Sequence, residues 1–349
     1  MFSNGTPKHK LKRKKPFING RNPFGSIVIT ANETSYSAAT TLAGGGQTTW
    51  TFSDGQSSTG FSFNHTFSPD SPPNIATAVL EDTLTALTCR NQNITGLVMN
   101  GKWSNLVGLV IDGNPLLATV TTFATWTDLA TLRCQACGLT ELKTYPTWTE
   151  IDELWPYSNN LTSFDTHKQW TKLRDFRING NDLTSLDTHA EWTLLERLDV
   201  NNNDLTSLET HAEWTELYRL FANSNDLSSL TLHSEWTEIT DFACNLNSGI
   251  TSVVFPSTWT KMDTAFVNQC SLTTLTVPST LVALTTLYAN GNDLEAAEID
   301  DILVNLDTAG ASNGLLVYSS NPGSADGLRS GAATTAKANL VGKGWTVTA

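Results

Sequence analysis

The sequence is short of most features that mark a function class. It has only 5 cysteines in 349 residues, an odd number, which argues against a disulfide framework. No apolar run approaches the roughly 20 residues a membrane-spanning helix needs, so no membrane span is expected. The N-terminus is basic, but no apolar stretch follows "KHKLKRKKPFINGRNPFG", so it is not a classical secretory signal. There is no nucleophile elbow and no HExxH. The glycines of "AGGGQ", Gly44, Gly45 and Gly46, lack phosphate-loop spacing. The expectation is therefore no catalytic residue, no cofactor and no metal.

Basic residues are also scarce outside one place. Of 21 Lys and Arg, 7 stand in the first 21 positions, where no acid occurs; the other 14 face 34 acids, leaving a body of −20. Lys8, Lys10, Lys12, Arg13, Lys14 and Lys15 form an arm that suits an acidic surface. An arm of this composition does not order unless something holds it. The surfaces it suits are nucleic acid, a membrane and an acidic neighbour. No base-reading fold or aromatic interleaving accompanies the arm, which counts against nucleic acid and makes docking on an acidic protein lattice at least as good a reading.

What the chain does have is a period. Trp103, Trp126, Trp148, Trp170, Trp192, Trp214, Trp236 and Trp259 are spaced by 23, 22, 22, 22, 22, 22 and 23 residues, and all but the first precede Thr. One further unit begins near Glu81 and another at Leu281, with Leu for Trp, so about ten units run over 81–302. Counting from Trp170 as zero, Leu173, Phe176, Ile178, Asn181, Leu183 and Leu186 fall at +3, +6, +8, +11, +13 and +16. Positions +6 and +8 share one face of a short strand. Stacked units set these strands side by side as a parallel sheet, the leucines fill the interior, and Asn at +11 satisfies backbone groups where the chain leaves the strand. Asn181, Asn203, Asn225, Asn247 and Asn292 belong to that ladder. Cys89, Cys134 and Cys244 fall on +8 and Cys137 and Cys270 on +11, so all five read as buried and reduced. Cys134 and Cys137 also have C-x-x-C spacing, which leaves a zinc site as the minor alternative.

This LxxLxLxxNxLxxL pattern resembles the leucine-rich repeat family, and its 22-residue length the internalin-type subclass. The resemblance implies an α/β solenoid, a horseshoe whose concave strand face binds partners. Residues 303–349 read as an αβ C-terminal cap: Ile299, Ile302, Leu303 and Leu306 have helical spacing, "GLLVYSS" reads as a strand, "AATTAKANLVGKG" as a glycine-ended helix and "WTVTA" as a last strand. Residues 26–80 alternate as β-strands, with Trp50 and Phe52, a turn at Ser53-Asp54-Gly55, then Phe61, Phe63, His65 and Phe67. The W-x-F-x-DG…HTF order resembles the PKD-like β-sandwich with Ser53 for the usual Gly, which implies a small spacer or adhesion module. The domains read as 1–25 arm, 26–80 β module, 81–302 solenoid and 303–349 cap.

Positions +5, +7 and +9 point away from the core. Among them Arg133, Glu153, Trp155, Tyr157, Arg177, Arg197, Arg219, Phe221, Phe266 and Tyr288 form the candidate partner-binding face, because exposed aromatics beside arginine make binding hot spots. The competing reading is a solvated sheet of paired charges. His167, His189, His211 and His233 form a column at +19, read as a repeated structural hydrogen bond with a metal site as the minor alternative. The resulting expectation is a non-enzymatic structural or adhesion protein of an extracellular assembly, foremost a phage virion. In it the arm and β module anchor, in a homo-oligomer or virion lattice, and the solenoid meets a host-surface protein or glycan. The alternatives are a bacterial surface adhesin and an intracellular interaction scaffold.

Overall fold

The structure, a computed structural model, describes residues 84–349 except 92, 93 and 100, and, between 25 and 80, the backbone of six strands. The arm residues Lys8 to Lys15 and the turn at 53–55 lie outside the described residues. The chain divides into two compact units, Met1–Leu173 and Arg174–Ala349.

In the first unit, the strands Ser57–Thr59, Thr49–Phe52, Asn74–Leu80, Gly25–Ala31 and Ile94–Val98 form one sheet in that order. Its pairs are antiparallel. Thr49 pairs with Thr59 and Thr51 with Ser57. A second group, Ala38–Ala43 with Ser62–His65, is antiparallel, and Ala38–Ala43 also pairs antiparallel with Ala86–Cys89, the first repeat strand. A repeat stack would otherwise begin on an open strand edge, which invites pairing with other chains. Here strands from 25–80 cover that edge and bond directly to the repeats. Gly108–Val110, Thr131–Arg133 and Glu153–Trp155 then follow as parallel strands.

In the second unit six repeat strands run parallel: Asp175–Arg177, Arg197–Asp199, Arg219–Phe221, Asp241–Ala243, Thr264–Phe266 and Thr286–Tyr288. The register is one residue per repeat position, so Leu198 pairs with Leu220 and Leu220 with Phe242. Ser252–Val254 and Thr274–Thr276 make a separate two-stranded sheet that the repeat pattern did not indicate.

The expected interior is fully formed. Trp103, Trp126, Trp148, Trp170, Trp192, Trp214, Trp236 and Trp259 are all 0 % exposed. Neighbouring indoles lie nearly parallel, with centroids 6.4 Å apart for Trp126–Trp148 and 6.2 Å for Trp214–Trp236. Trp148, Trp170, Trp214, Trp236 and Trp259 also donate a hydrogen bond to a carbonyl one unit back, as Trp148 does to Phe123 at 3.0 Å and Trp236 to His211 at 2.9 Å.

The ladder amides bind both their own and the preceding unit. Asn203 Nδ2 donates to Val200 O at 3.0 Å and to Ile178 O at 3.1 Å, while its Oδ1 accepts from Leu183 N at 3.2 Å. Asn225 and Asn247 repeat this arrangement. Asn114 and Asn159 occupy the same position in the first unit. Cysteine supplies only the donor: Cys137 Sγ donates to Ile111 O and Cys270 Sγ to Cys244 O, each at 3.3 Å. The amide left over then turns inward, Leu117 N to Asn114 O at 2.9 Å and Ile250 N to Asn247 O at 3.1 Å. The residue before each ladder position is left-handed, with φ from 51 at Ala136 to 71 at Gly113 and an exposed leucine, Leu246, at 59.

The C-terminal cap continues the sheet with Leu315–Val317 and Thr346–Thr348. Helix α1, Ala296–Ala309, buries Ile299, Ile302, Leu303 and Leu306 and ends on Gly310. Helix α2, Gly331–Gly342, starts at Ser330, whose side chain accepts from Ala333 N. Asn321 extends the ladder into the cap, bonding Tyr318 O at 2.7 Å and Ala289 O at 3.0 Å. Arg329 is almost wholly buried and bridges to Asp300 at 2.7 Å, which ties α2's start to α1.

Candidate binding face

Because the repeat strands from Gly108–Val110 onward are three residues long, each presents its first and third side chains on one face and its middle one to the core. In the first unit this brings together Arg133, Glu153 and Trp155. Arg133 Nη2 lies 2.6 Å from Glu153 Oε2 on the next strand, and its Cζ lies 3.8 Å from the centre of the Trp155 ring. Tyr157 stands past the strand end, half-buried, where its carbonyl accepts from Ala136 N at 3.1 Å.

In the second unit the arginines are also paired. Arg177 Nε reaches Asp175 Oδ1 at 2.8 Å and Arg197 Nε reaches Asp199 Oδ2 at 3.0 Å. Arg219 Nε stands 3.4 Å from the other Asp199 oxygen, and its Cζ sits 3.7 Å from the Phe221 ring centre. Phe266 and Tyr288 on adjacent strands stack at 5.3 Å and 26°. A row of half-buried amides, Asn223, Asn245, Asn268 and Asn290, runs beyond the strand ends.

The expectation that every +5, +7 and +9 side chain is exposed needs correction. Asp199 is 4 % exposed, Ala243 3 % and Gln135 7 %. Flat charge pairs and aromatic rings lie across the sheet and cover the shorter residues between them. Asp199, shared by two arginines, was visible in the +7 column but not as a bridging group, since pairing depends on side-chain rotamers. The half-buried pairs Arg133–Glu153 and Arg177–Asp175 contribute about 0–1 kcal/mol each, so they orient the surface more than they stabilise it.

The histidine column is structural. Thr188 Oγ1 donates to Glu209 O at 2.8 Å and lies 3.2 Å from His211 Nε2; Thr210 Oγ1 donates to Thr231 O at 2.7 Å and lies 3.2 Å from His233 Nε2. With the hydroxyl proton committed to the carbonyl, the ring nitrogen at this distance is placed to donate to the hydroxyl oxygen. Each ring also meets a tryptophan edge-on or tilted, at 5.2 Å for His211–Trp214 and 5.1 Å for His233–Trp236. Phe123 and Tyr145 fill the same place against Trp126 and Trp148. Among the described residues no group of three or more His, Cys, Asp or Glu side chains is arranged to hold a metal. Burial pushes the Cys134 thiol well up and that of Cys137 to about 11, so the C-x-x-C pair is protonated at neutral pH and suits core packing. All five cysteines are buried.

Residues 200–294 match, in 6 copies, the family model described as a BspA type leucine rich repeat region. Over residues 200–294 the repeats are leucine-rich repeats. Solved structures similar to the chain include an internalin from Listeria monocytogenes, at 16% identity and TM-score 0.46, covering 68% of this chain and 82% of that one. The functional domain of InlJ from Listeria monocytogenes aligns at 18% identity and TM-score 0.40, covering 70% of this chain and 71% of that one. A leucine-rich repeat protein of Leptospira interrogans aligns at 16% identity and TM-score 0.36, covering 70% and 78%. No curated protein matches the chain. Among the described residues no helix is long and apolar enough to cross a membrane.

Proposed function

We propose that this leucine-rich repeat protein is a non-enzymatic scaffold that binds a protein partner on the strand face of its repeats. The observation carrying this reading is the set of half-buried aromatics, Phe221, Phe266 and Tyr288, spread over four consecutive strands of a face whose opposite side is core. Such rings carry large contact area at low entropic cost and are enriched at binding hot spots. Phage-displayed peptides selected on the full chain provide the test. Selected peptides should lose binding when Phe266→Ser and Tyr288→Ser are combined, and keep it when Glu191→Ser and Glu213→Ser are combined. The opposite pattern would overturn the reading.

The domain roles follow the same proposal: 1–25 and 26–80 anchor the chain in an extracellular assembly, 81–302 presents the face, and 303–349 closes the stack. Light scattering on the full chain and on a version lacking residues 1–25 checks the anchoring role. Assembly of the full chain alone supports it, and two monomers would remove it.

A further inference from the structure

On the strand face of the second unit two aromatic rings flank an alanine. Phe221, Ala243 and Phe266 are register partners on three consecutive strands. The outer two are therefore roughly 9.6 Å apart, twice the ~4.8 Å strand spacing. Each ring is already covered on its far side. Arg219, which leans towards Asp199, lies 3.7 Å over the Phe221 ring, and Tyr288 stacks on Phe266 at 5.3 Å. Ala243 between them is 3 % exposed, so a slot there opens only when the covering side chains swing aside. A planar group held between two rings needs about 3.5–4 Å on each side, so this spacing admits one such group once the rings stand upright.

The polar groups around the slot select what that group is. Asp241 lies two residues before Ala243 on the same strand and the same face. It accepts a hydrogen bond from Thr240 at 2.8 Å and makes no ion pair among the described residues, whereas Asp175 and Asp199 each have an arginine. Aromatic faces beside a carboxylate without a cation favour a flat cation over a neutral ring. Arg219 on Phe221 shows a guanidinium already seated on this type of surface. The remainder of the chain is acidic, which attracts a basic partner.

We propose that the slot formed by Phe221, Ala243 and Phe266, with Asp241 at its end, receives an arginine side chain of the protein partner. This inference rests on the partner-binding reading above and adds the chemistry of the residue at its centre. The guanidinium lies between the two rings and donates to the Asp241 carboxylate. A lysine fits worse, because its compact ammonium cannot fill a flat slot or bond in a fork.

Ligand-observed NMR on the full chain tests it, with acetyl-Gly-Arg-Gly-amide as probe and the lysine and tyrosine counterparts and cellohexaose as comparisons. The arginine probe should show saturation transfer to its side-chain methylenes and bind at least fivefold more tightly than the lysine probe. Ala243→Leu, which fills the slot while keeping an apolar residue on the sheet, should abolish the transfer. Asp241→Asn should weaken binding roughly tenfold, as expected for loss of one charge-assisted hydrogen bond. Circular dichroism should show both variants folded. No transfer to the arginine probe, transfer unchanged by Ala243→Leu, or preference for the tyrosine or glycan probe would each overturn the inference. If the selected peptides still depend on Phe266 and Tyr288 while the arginine probe fails, only this inference falls.

Discussion

Replacing Asn203 with alanine removes its bonds to Leu183 N, Ile178 O and Val200 O, and a longer one to Asn201 O, at a site 6 % exposed. The Leu183 N–H is left buried without its acceptor, which costs about 1–3 kcal/mol, and the Ile178 and Val200 carbonyls each lose a bond worth about 0.5–1.5 kcal/mol. With partial relaxation the expected loss is about 3 kcal/mol. The chain contains its own control, because Cys137 and Cys270 occupy this position elsewhere. They keep one donor, and the freed amide bonds to a carbonyl three residues earlier. Asn203→Cys should therefore lose about half as much as Asn203→Ala. The assay is native-state hydrogen exchange read at the Leu183 amide, because local opening is better defined than global melting in a stack of repeats. A loss below about 1 kcal/mol for alanine, or a cysteine variant no better than alanine, would refute the account of the ladder.

Other consequences can be measured as directly. Trp214→Ala should destabilise the second unit by about 3–5 kcal/mol, seen as a lower denaturation midpoint, since it empties a fully buried site and frees the His189 carbonyl. Leu246→Asn should raise stability by about 0.5–1 kcal/mol in the same assay, because leucine there is exposed and held at φ 59, a conformation asparagine tolerates better. In the cap, burial raises the Asp307 carboxyl, but its bonds to Lys343 and Asn339 outweigh that and hold it below the usual range. A depressed carboxyl stabilises the fold above its unfolded value, near about pH 3.9, and ceases to as pH falls through the folded value. Amides at the end of α2 should accordingly lose exchange protection below about pH 4 before those of the central repeats do.

The repeat strands, the buried tryptophans and the cap elements were legible because each follows from periodicity: a side chain's number within the unit fixes its face. Asn114, Asn159 and Asn321 obey the same rule; Asn321 shows that the first cap strand is built like one more repeat. Three things were not legible. The sheet pairing Ser252–Val254 with Thr274–Thr276 arises where two neighbouring units both carry extended segments, which a single unit cannot reveal. The sharing of Asp199 by Arg197 and Arg219 depends on which way long side chains lean. The placing of Ala243 between two aromatics on adjacent strands is a relation between units 22 or 23 residues apart rather than a motif within one.

The ladder's bonds reach only from one unit to the next, and within the second unit successive units present almost the same surface to each other. A segment such as 183–204, followed by its near copy 205–226, could therefore be lost or duplicated by unequal recombination without creating a new kind of junction. Length in this protein is a quantity that can drift in steps of one strand spacing, about 4.8 Å. Each step would change the distance between neighbouring features of the strand face while leaving the interior chemistry of every junction as it was.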